Sequence, residues 1–313
     1  MGQRRASHPR FRREGAPPHV ALTDDDLAVL RCVYRHRFVR ADDLYRLFAN
    51  RSPDRLSRRL TLLFRAEFLD RPIAQVDRYK EGGSRPLVYG LGNAGARYLK
   101  EKLGTPIGAT DWRSRNRSYT RENLDHTLAV SKFLIDVELE CRARGDLQFI
   151  PFEEILARSP EATRRSPNPA SWPVPVQWHG AKSVVHIAPD AIFGLRLKHP
   201  DEKPRAAYFF LEVDRGTMTI VPSERVQECD AFPYRATIVR KLLAYADSHR
   251  LNVHERRFGF KAPRVLLVTT NERRAALMRR ALADHVMTQA NLPAGLFVIQ
   301  SEARPILANL VGN

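Results

Sequence analysis

Cysteine is scarce: Cys32, Cys141 and Cys229 are the only three, odd in number, far apart and never in a C-x-x-C spacing. That excludes a disulfide framework and a zinc ribbon, and it fits a reducing compartment. Long apolar runs are missing as well, since no stretch approaches the ~18 apolar residues a membrane helix needs. The opening "MGQRRASHPRFRREGAPP" is basic with no apolar segment behind it, so neither a signal peptide nor a membrane span is expected. The expectation is a soluble, cytoplasmic protein without a membrane partner. Acidic residues are also in deficit, 35 Asp and Glu against 52 Lys and Arg, for a formal charge of +17.

A basic surplus of that size favours polyanions through counterion release, with nucleic acid ahead of an anionic membrane. The surplus is uneven. Residues 1–120 carry 25 basic and 13 acidic side chains, so +12 of the +17 lies in the first part of the chain. With 313 residues, 43% of them hydrophobic, the chain can bury two cores, and two domains are expected.

Residues 1–21 are rich in Arg, Pro and Gly without hydrophobic period, the composition of a disordered basic arm. At Thr23 a helix start follows, with Asp24, Asp25 and Asp26 in the first turn, where the helix dipole favours negative charge. Leu27, Leu30, Val33 and Tyr34 keep helical spacing. A second helix fits Ala41 to Phe48, and a third runs from Pro53 to Glu67 behind Ser52 as N-cap. Leu56, Leu60, Leu63 and Phe64 would face inward, turning Arg55, Arg58 and Arg59 to solvent as a recognition helix does. Two apolar strands flanking "DRYKEGGSR" make a hairpin that Arg78, Lys80 and Arg85 decorate, and a closing helix runs from Asn93 to Leu103. Residues 22–104 thus resemble a winged helix-turn-helix. The expected partner is double-stranded DNA, with Arg55, Arg58 and Arg59 in the major groove and Arg78, Lys80 and Arg85 on the backbone. RNA binding or pure protein docking is the other use of such a module.

Polar, aperiodic residues 105–120 read as a linker, and residues 121–313 as a second domain. It opens on a helix from Glu122 to Arg144 and the strand "LQFIPF". Five prolines break regularity over residues 159–183, which read as a long loop. "VVHIAPDAIFGLRL" and "AAYFFLEVDRGT" are adjacent antiparallel strands, followed by a helix over Ala231 to His249, the strand "RVLLVTT", a helix from Asn271 and the strand "GLFVIQ". The fold class expected is α/β in its segregated α+β form: a mixed sheet with helices on its faces.

That element order resembles the PD-(D/E)XK superfamily of metal-dependent nucleases. Pro189 and Asp190 match its first acidic position and Glu212 its second; Asp214 stands where the pattern has lysine, and Lys241 on the following helix would replace it. The resemblance implies Mg²⁺, with Mn²⁺ as substitute, held by Asp190, Glu212 and Asp214, and catalysis by Asp190, Glu212 and Lys241. Carboxylate oxygens suit such hard ions, and a lysine steadies developing negative charge. Glu212 and Asp214, two apart on a strand, share a face. His126 on the first helix of this domain is a further candidate, and Tyr245 reads as a packed helix residue.

The winged helix followed by "HTLAV", "PDAIF", "FLEVDRGT" and "KLLAY" resembles the replication-relaxation family of plasmids and mobile elements, over residues 22–300. That resemblance implies nicking or relaxing of mobile-element DNA, with replication or mobilisation proteins and a second copy of the chain as partners. No two of the ten histidines are two apart, so cutting would follow the carboxylate route rather than that of a His-x-His relaxase. A non-enzymatic regulator, its nuclease-like body serving dimerisation or docking, is the alternative.

Overall fold

A computed structural model describes residues 10–76, 85–105, 107–108, 111–178, 181–198, 205–221, 236–288 and 292–302. Contacts divide the chain into two units, Met1–Ile135 and Asp136–Asn313.

In the first unit α1 (Asp24–His36) starts at a capping box: Thr23 Oγ1 accepts from the Asp26 amide, and Asp26 Oδ2 accepts from the Thr23 amide at 2.8 Å. Strand β1 (Phe38–Arg40) and α2 (Ala41–Leu47) precede α3 (Pro53–Arg65), whose Ser52 cap and leading proline are those the sequence predicts. Leu56, Leu60, Leu63 and Phe64 are buried beneath α3, as their spacing requires. Strands β2 (Leu69–Asp70) and β3 (Val88–Leu91) complete an antiparallel sheet in the order β1-β3-β2, the frame of a winged helix. The hairpin tip, with Arg78 and Lys80, lies outside the described residues. Helix α4 (Asn93–Leu103) packs backbone against backbone: a Cβ on Gly92 would sit 2.1 Å from the Glu67 carbonyl oxygen, and one on Gly95 2.2 Å from that of Phe68.

Two expectations change here. Within the segment read as a linker, Trp112–Arg117 forms α5, with Trp112 buried and Asn116 donating to Asp70 Oδ2 (2.9 Å) and the Leu91 carbonyl (3.0 Å). A helix this short buries too few side chains to show a period. The arm is not loose over residues 10–21, because Arg13 donates to the Phe64 and Leu69 carbonyls and to Asp70. Compositional disorder rules count arginine as solvating and miss one that meets carbonyls.

Helix α6 (Arg121–Arg144) contributes residues to both units. In the first unit its Leu124 and Leu128 pack with Phe38 and Val88. The second unit then runs β4 (Leu147–Ile150), α7 (Phe152–Arg158), α8 (Glu161–Arg164), β5 (Trp172–Trp178), β6 (Ala181–Ile187), β7 (Ala191–Leu197), β8 (Arg205–Asp214), α9 (Ile238–Arg250), α10 (Val253–Phe258), β9 (Pro263–Thr269), α11 (Glu272–His285) and β10 (Phe297–Ser301). Its main sheet has the order β10-β9-β8-β7-β4. The β4, β7 and β8 strands are antiparallel, while β8, β9 and β10 run parallel across helical crossovers. The chain is therefore of the α+β class, with β8 at the centre of the sheet. One face packs Phe210, Ile192 and Val265 against α9 and α11; the other stacks Phe149, Phe193 and Phe209.

The proline-rich stretch 159–183 is not an irregular loop. Helix α8 and the β5–β6 hairpin occupy most of it, and Trp172, Val174 and Val176 enter the core at alternate positions. Pro173 and Pro175 fall on the exposed positions between them, where a two-stranded ribbon tolerates missing donors. The run "VVHIAPDAIFGLRL" is two strands, β6 and β7, parted before Asp190. Helix α9 begins at Ile238; the expected earlier start, residues 231–235, lies outside the described part.

Candidate functional site

Strand β8 carries the acidic pair to the end of the central strand, and β7 delivers the third carboxylate beside it. Ala191 pairs with Leu211, so the register continues to set Asp190 opposite Glu212. Asp190 is fixed from both ends of its residue: its amide donates to the Leu211 carbonyl at 2.9 Å, and its Oδ2 accepts from the Val213 amide at 2.8 Å. The proline-aspartate step thus places an acid at a strand's first turn, as the sequence suggests.

Glu212 is 3% exposed, and both its oxygens are engaged. Oε2 accepts from Lys241 Nζ at 2.6 Å, and Oε1 accepts from the Tyr245 hydroxyl at 2.6 Å. Lys241 and Tyr245 lie four apart on α9, hence on one helix face. Tyr245 also stacks on Phe210, with ring centroids 5.8 Å apart. It is the packed residue the sequence suggests and also a direct partner of the acid. The spacing from Lys241 was the available signal.

Burial raises the Glu212 carboxyl to about 7; Lys241 and Tyr245 pull it down, while the Asp190 charge adds to the rise. Burial alone would lower the Lys241 ammonium, yet the Glu212 charge and hydrogen bond, with Asp190 behind them, outweigh it and raise its pKa. Tyr245 is driven well above its usual range by burial and by Glu212, so it stays a hydroxyl and a donor.

Asp214 shares the strand face of Glu212 but turns to other partners. Arg274 grips it through two hydrogen bonds (2.5 and 2.9 Å), and the Thr269 hydroxyl donates at 2.7 Å. Burial pushes this carboxyl up, but the bonds from Arg274 and Thr269 prevail and its pKa falls below the usual range. Among the described residues no three His, Cys, Asp or Glu side chains come together in a group that could hold a metal ion. The expected ligand trio thus divides into Asp190 with Glu212 on one side and Asp214 with Arg274 on the other. Sequence reasoning missed Arg274, because nothing in the spacing links the first turn of α11 to the end of β8.

In the first unit Arg55 and Arg58 are exposed on α3, as expected, and Arg85 is exposed shortly before β3. Arg59 departs from the expected solvent-facing role: half-buried, it donates to both carboxylate oxygens of Asp26 (2.9 and 2.5 Å) and to the Ala21 carbonyl (2.8 Å). A long side chain one position past the exposed stripe reaches the buried cap of α1 instead. His126 is half-buried on the stretch of α6 that belongs to the first unit.

A family model described as Replication-relaxation matches residues 30–262, which takes in the first unit from the middle of α1 onward, the acidic strands and Lys241 with Tyr245. The chain belongs to the replication-relaxation family. This member is thereby placed among replication-related, DNA-associated proteins. No curated protein and no solved structure matches it. Among the described residues, no helix of this replication-relaxation protein is long and apolar enough to cross a membrane.

Proposed function

We propose that this replication-relaxation protein binds double-stranded DNA of a plasmid or integrated mobile element through its first unit and cleaves one strand with Asp190, Glu212 and Lys241 of its second. The observation that carries the reading is the convergence of Asp190, Glu212 and Lys241 at the end of the central strand of a mixed sheet. With α7, α8 and the β5–β6 hairpin set aside as an insertion between β4 and β7, the element order resembles that of a PD-(D/E)XK nuclease whose lysine has moved to the following helix.

The residues fit a divalent ion held by two carboxylates rather than three. Magnesium is commonly bound through one or two carboxylates with waters completing its shell, and Asp190 and Glu212 are adjacent acids whose mutual repulsion favours a cation. Bound there, Mg²⁺ or Mn²⁺ would supply a polarised water and a clamp on a phosphate oxygen. Lys241, held protonated by Glu212 and Asp190, stabilises charge on the phosphoryl group. Tyr245 positions Glu212 through Oε1. On the DNA side Arg55 and Arg58 face the groove and Arg85 the backbone, with Arg78 and Lys80, which lie outside the described residues, as the further backbone contacts expected from the sequence.

Nicking of supercoiled plasmid by the full chain tests this. Cleavage that requires Mg²⁺ or Mn²⁺ and is lost in Asp190→Ala, Glu212→Ala and Lys241→Ala is the expected result; no cleavage by the intact chain with either ion sinks it. A second reading, a DNA-binding regulator or replication accessory factor whose body is a docking or dimerisation platform, is favoured by one observation. Both Glu212 oxygens are already engaged and Asp214 is neutralised by Arg274.

A further inference from the structure

The segment from Arg10 to Ala21 has no regular secondary structure of any length, yet three of its residues, Ala21, Arg13 and Arg10, attach it to α3, to β2 and to the residues beside β2 and β3. Near its C-terminal end, the Ala21 carbonyl accepts from Arg59 on α3 at 2.8 Å. In its middle Arg13 donates to the Phe64 carbonyl (2.7 Å), the Leu69 carbonyl (2.9 Å) and Asp70 (2.9 Å), with its guanidinium 4.5 Å from the centre of the Phe64 ring. At its start the Arg10 carbonyl accepts from Arg71 at 2.7 Å, and the Arg10 guanidinium reaches the Arg85 carbonyl at 3.4 Å. Arg71 is itself only 7% exposed and anchored by Thr61 of α3 and Tyr89 of β3. The segment therefore runs beside α3 from Arg59 to Phe64 and ends beside Arg71 and Arg85.

Those attachments use backbone carbonyls and two side chains of the segment, Arg13 and, through its one contact with the Arg85 carbonyl at 3.4 Å, Arg10. Arg10 and Arg12 keep exposed side chains, and they stand on a segment whose backbone is fixed. A guanidinium held on an ordered backbone loses less freedom on meeting a phosphate than one on a free tail. The one exposed acid on the strap, Glu14, leaves a net positive strip next to the helix that carries Arg55 and Arg58.

We propose that residues 10–21 are a fixed strap that forms a third DNA-contacting element, in which Arg10 and Arg12 take backbone phosphates flanking the site covered by α3 and the wing. The inference rests on the reading of the first unit as a duplex-DNA binder. It assigns the strap a share of the electrostatic footprint but none of the base readout, since arginine to phosphate contacts carry no sequence information.

The test is fluorescence anisotropy of labelled duplex DNA with the full chain over a series of salt concentrations. The variants are Arg10→Ala/Arg12→Ala and, separately, Arg55→Ala/Arg58→Ala. Arg10→Ala gives up only the exposed 3.4 Å contact with the Arg85 carbonyl, and neither pair removes Arg13 or the Arg10 and Ala21 carbonyls that hold the strap, so the melting temperature should stay within about a degree or two of the parent. The strap variant should bind several-fold more weakly on every sequence, and its log Kd against log salt slope should fall by about one per arginine. An unchanged slope and affinity in that variant, with the α3 variant impaired, overturns the strap while leaving the winged helix as DNA binder. Tighter binding overturns it too, because the strap would then be covering the DNA surface. If the parent chain shows no salt-dependent duplex binding at all, the underlying reading fails instead.

Discussion

Lys241 Nζ lies 2.6 Å from Glu212 Oε2, and the Tyr245 hydroxyl lies 2.6 Å from Glu212 Oε1, so one α9 face supplies both oxygens of a nearly inaccessible acid with donors. Lysine and tyrosine act here as one unit through the carboxylate they share. Removing either changes what the other sees.

Lys241→Met should therefore destabilise the second unit by about 2 kcal/mol, less than a fully buried pair would lose because the lysine side chain is 34% exposed. In Glu212→Gln/Lys241→Met the effects of the two single changes should not add, since the double change removes both charges together. Urea midpoints at constant slope measure this; strict additivity would mean the pair is not coupled.

Glu212 also sets a pH dependence of unusual sign for an acid. Its folded-state pKa is raised to about 7 from 4.5, so between those values the folded chain keeps a proton that the unfolded chain has released. Its contribution is present below the unfolded value and is lost as pH rises through about 7. Glu212→Gln should thus gain on the parent between pH 5 and 7.5 in chemical denaturation. Asp214, lowered by Arg274, works the other way: its contribution is present above the unfolded value and is lost as pH falls through the folded one. Arg274→Ala should remove that acid-side loss, seen in melts below pH 4.

Arg59 should behave as a structural residue. Its partner Asp26 is 1% exposed and also closes the capping box of α1. Asp26→Ala is expected to cost about 2–3 kcal/mol, a cap together with a charge-assisted pair. Arg59→Ala should lower the melting temperature, whereas Arg55→Ala should leave it unchanged and weaken DNA binding alone. Equal melting temperatures for Arg59→Ala and the parent would restore Arg59 to the solvent-facing set.

Trp172 offers the clearest core test. It is 1% exposed, donates from Nε1 to Ser248 Oγ at 3.0 Å, and packs on Phe210 and Phe258. Trp172→Ala should cost about 3–5 kcal/mol. A loss below about 1 kcal/mol would mean that the hairpin is peripheral to the core.

Local signals carried well from sequence to fold. Thr23, Ser52 and Pro53 marked helix starts because caps act within a turn, and Leu56, Leu60 and Leu63 marked a buried face because helical spacing is local too. The nearness of Asp190 and Glu212 was legible because one stands just ahead of β7 and the other near the end of β8, and adjacent antiparallel strands put such positions together. Arg13, Arg59 and Arg274 were not legible. Each reaches an acid or carbonyl between 33 and 60 residues away, and an arginine with a distant partner reads the same in sequence as one in water. The β5–β6 hairpin was hidden for a different reason: its prolines occupy the outward positions of a ribbon whose alternate residues fill the core.

The place of β8 in its sheet has a further consequence. It has hydrogen-bonded neighbours on both sides, β7 and β9, and its buried end carries Glu212 and Asp214. Amides at the centre of a sheet exchange with solvent only through the largest openings of a domain. The carboxylates are thus mounted on the segment that comes apart last, so heating should not loosen the site ahead of the fold. Loss of its geometry and loss of the second unit's cooperative structure should fall at one temperature.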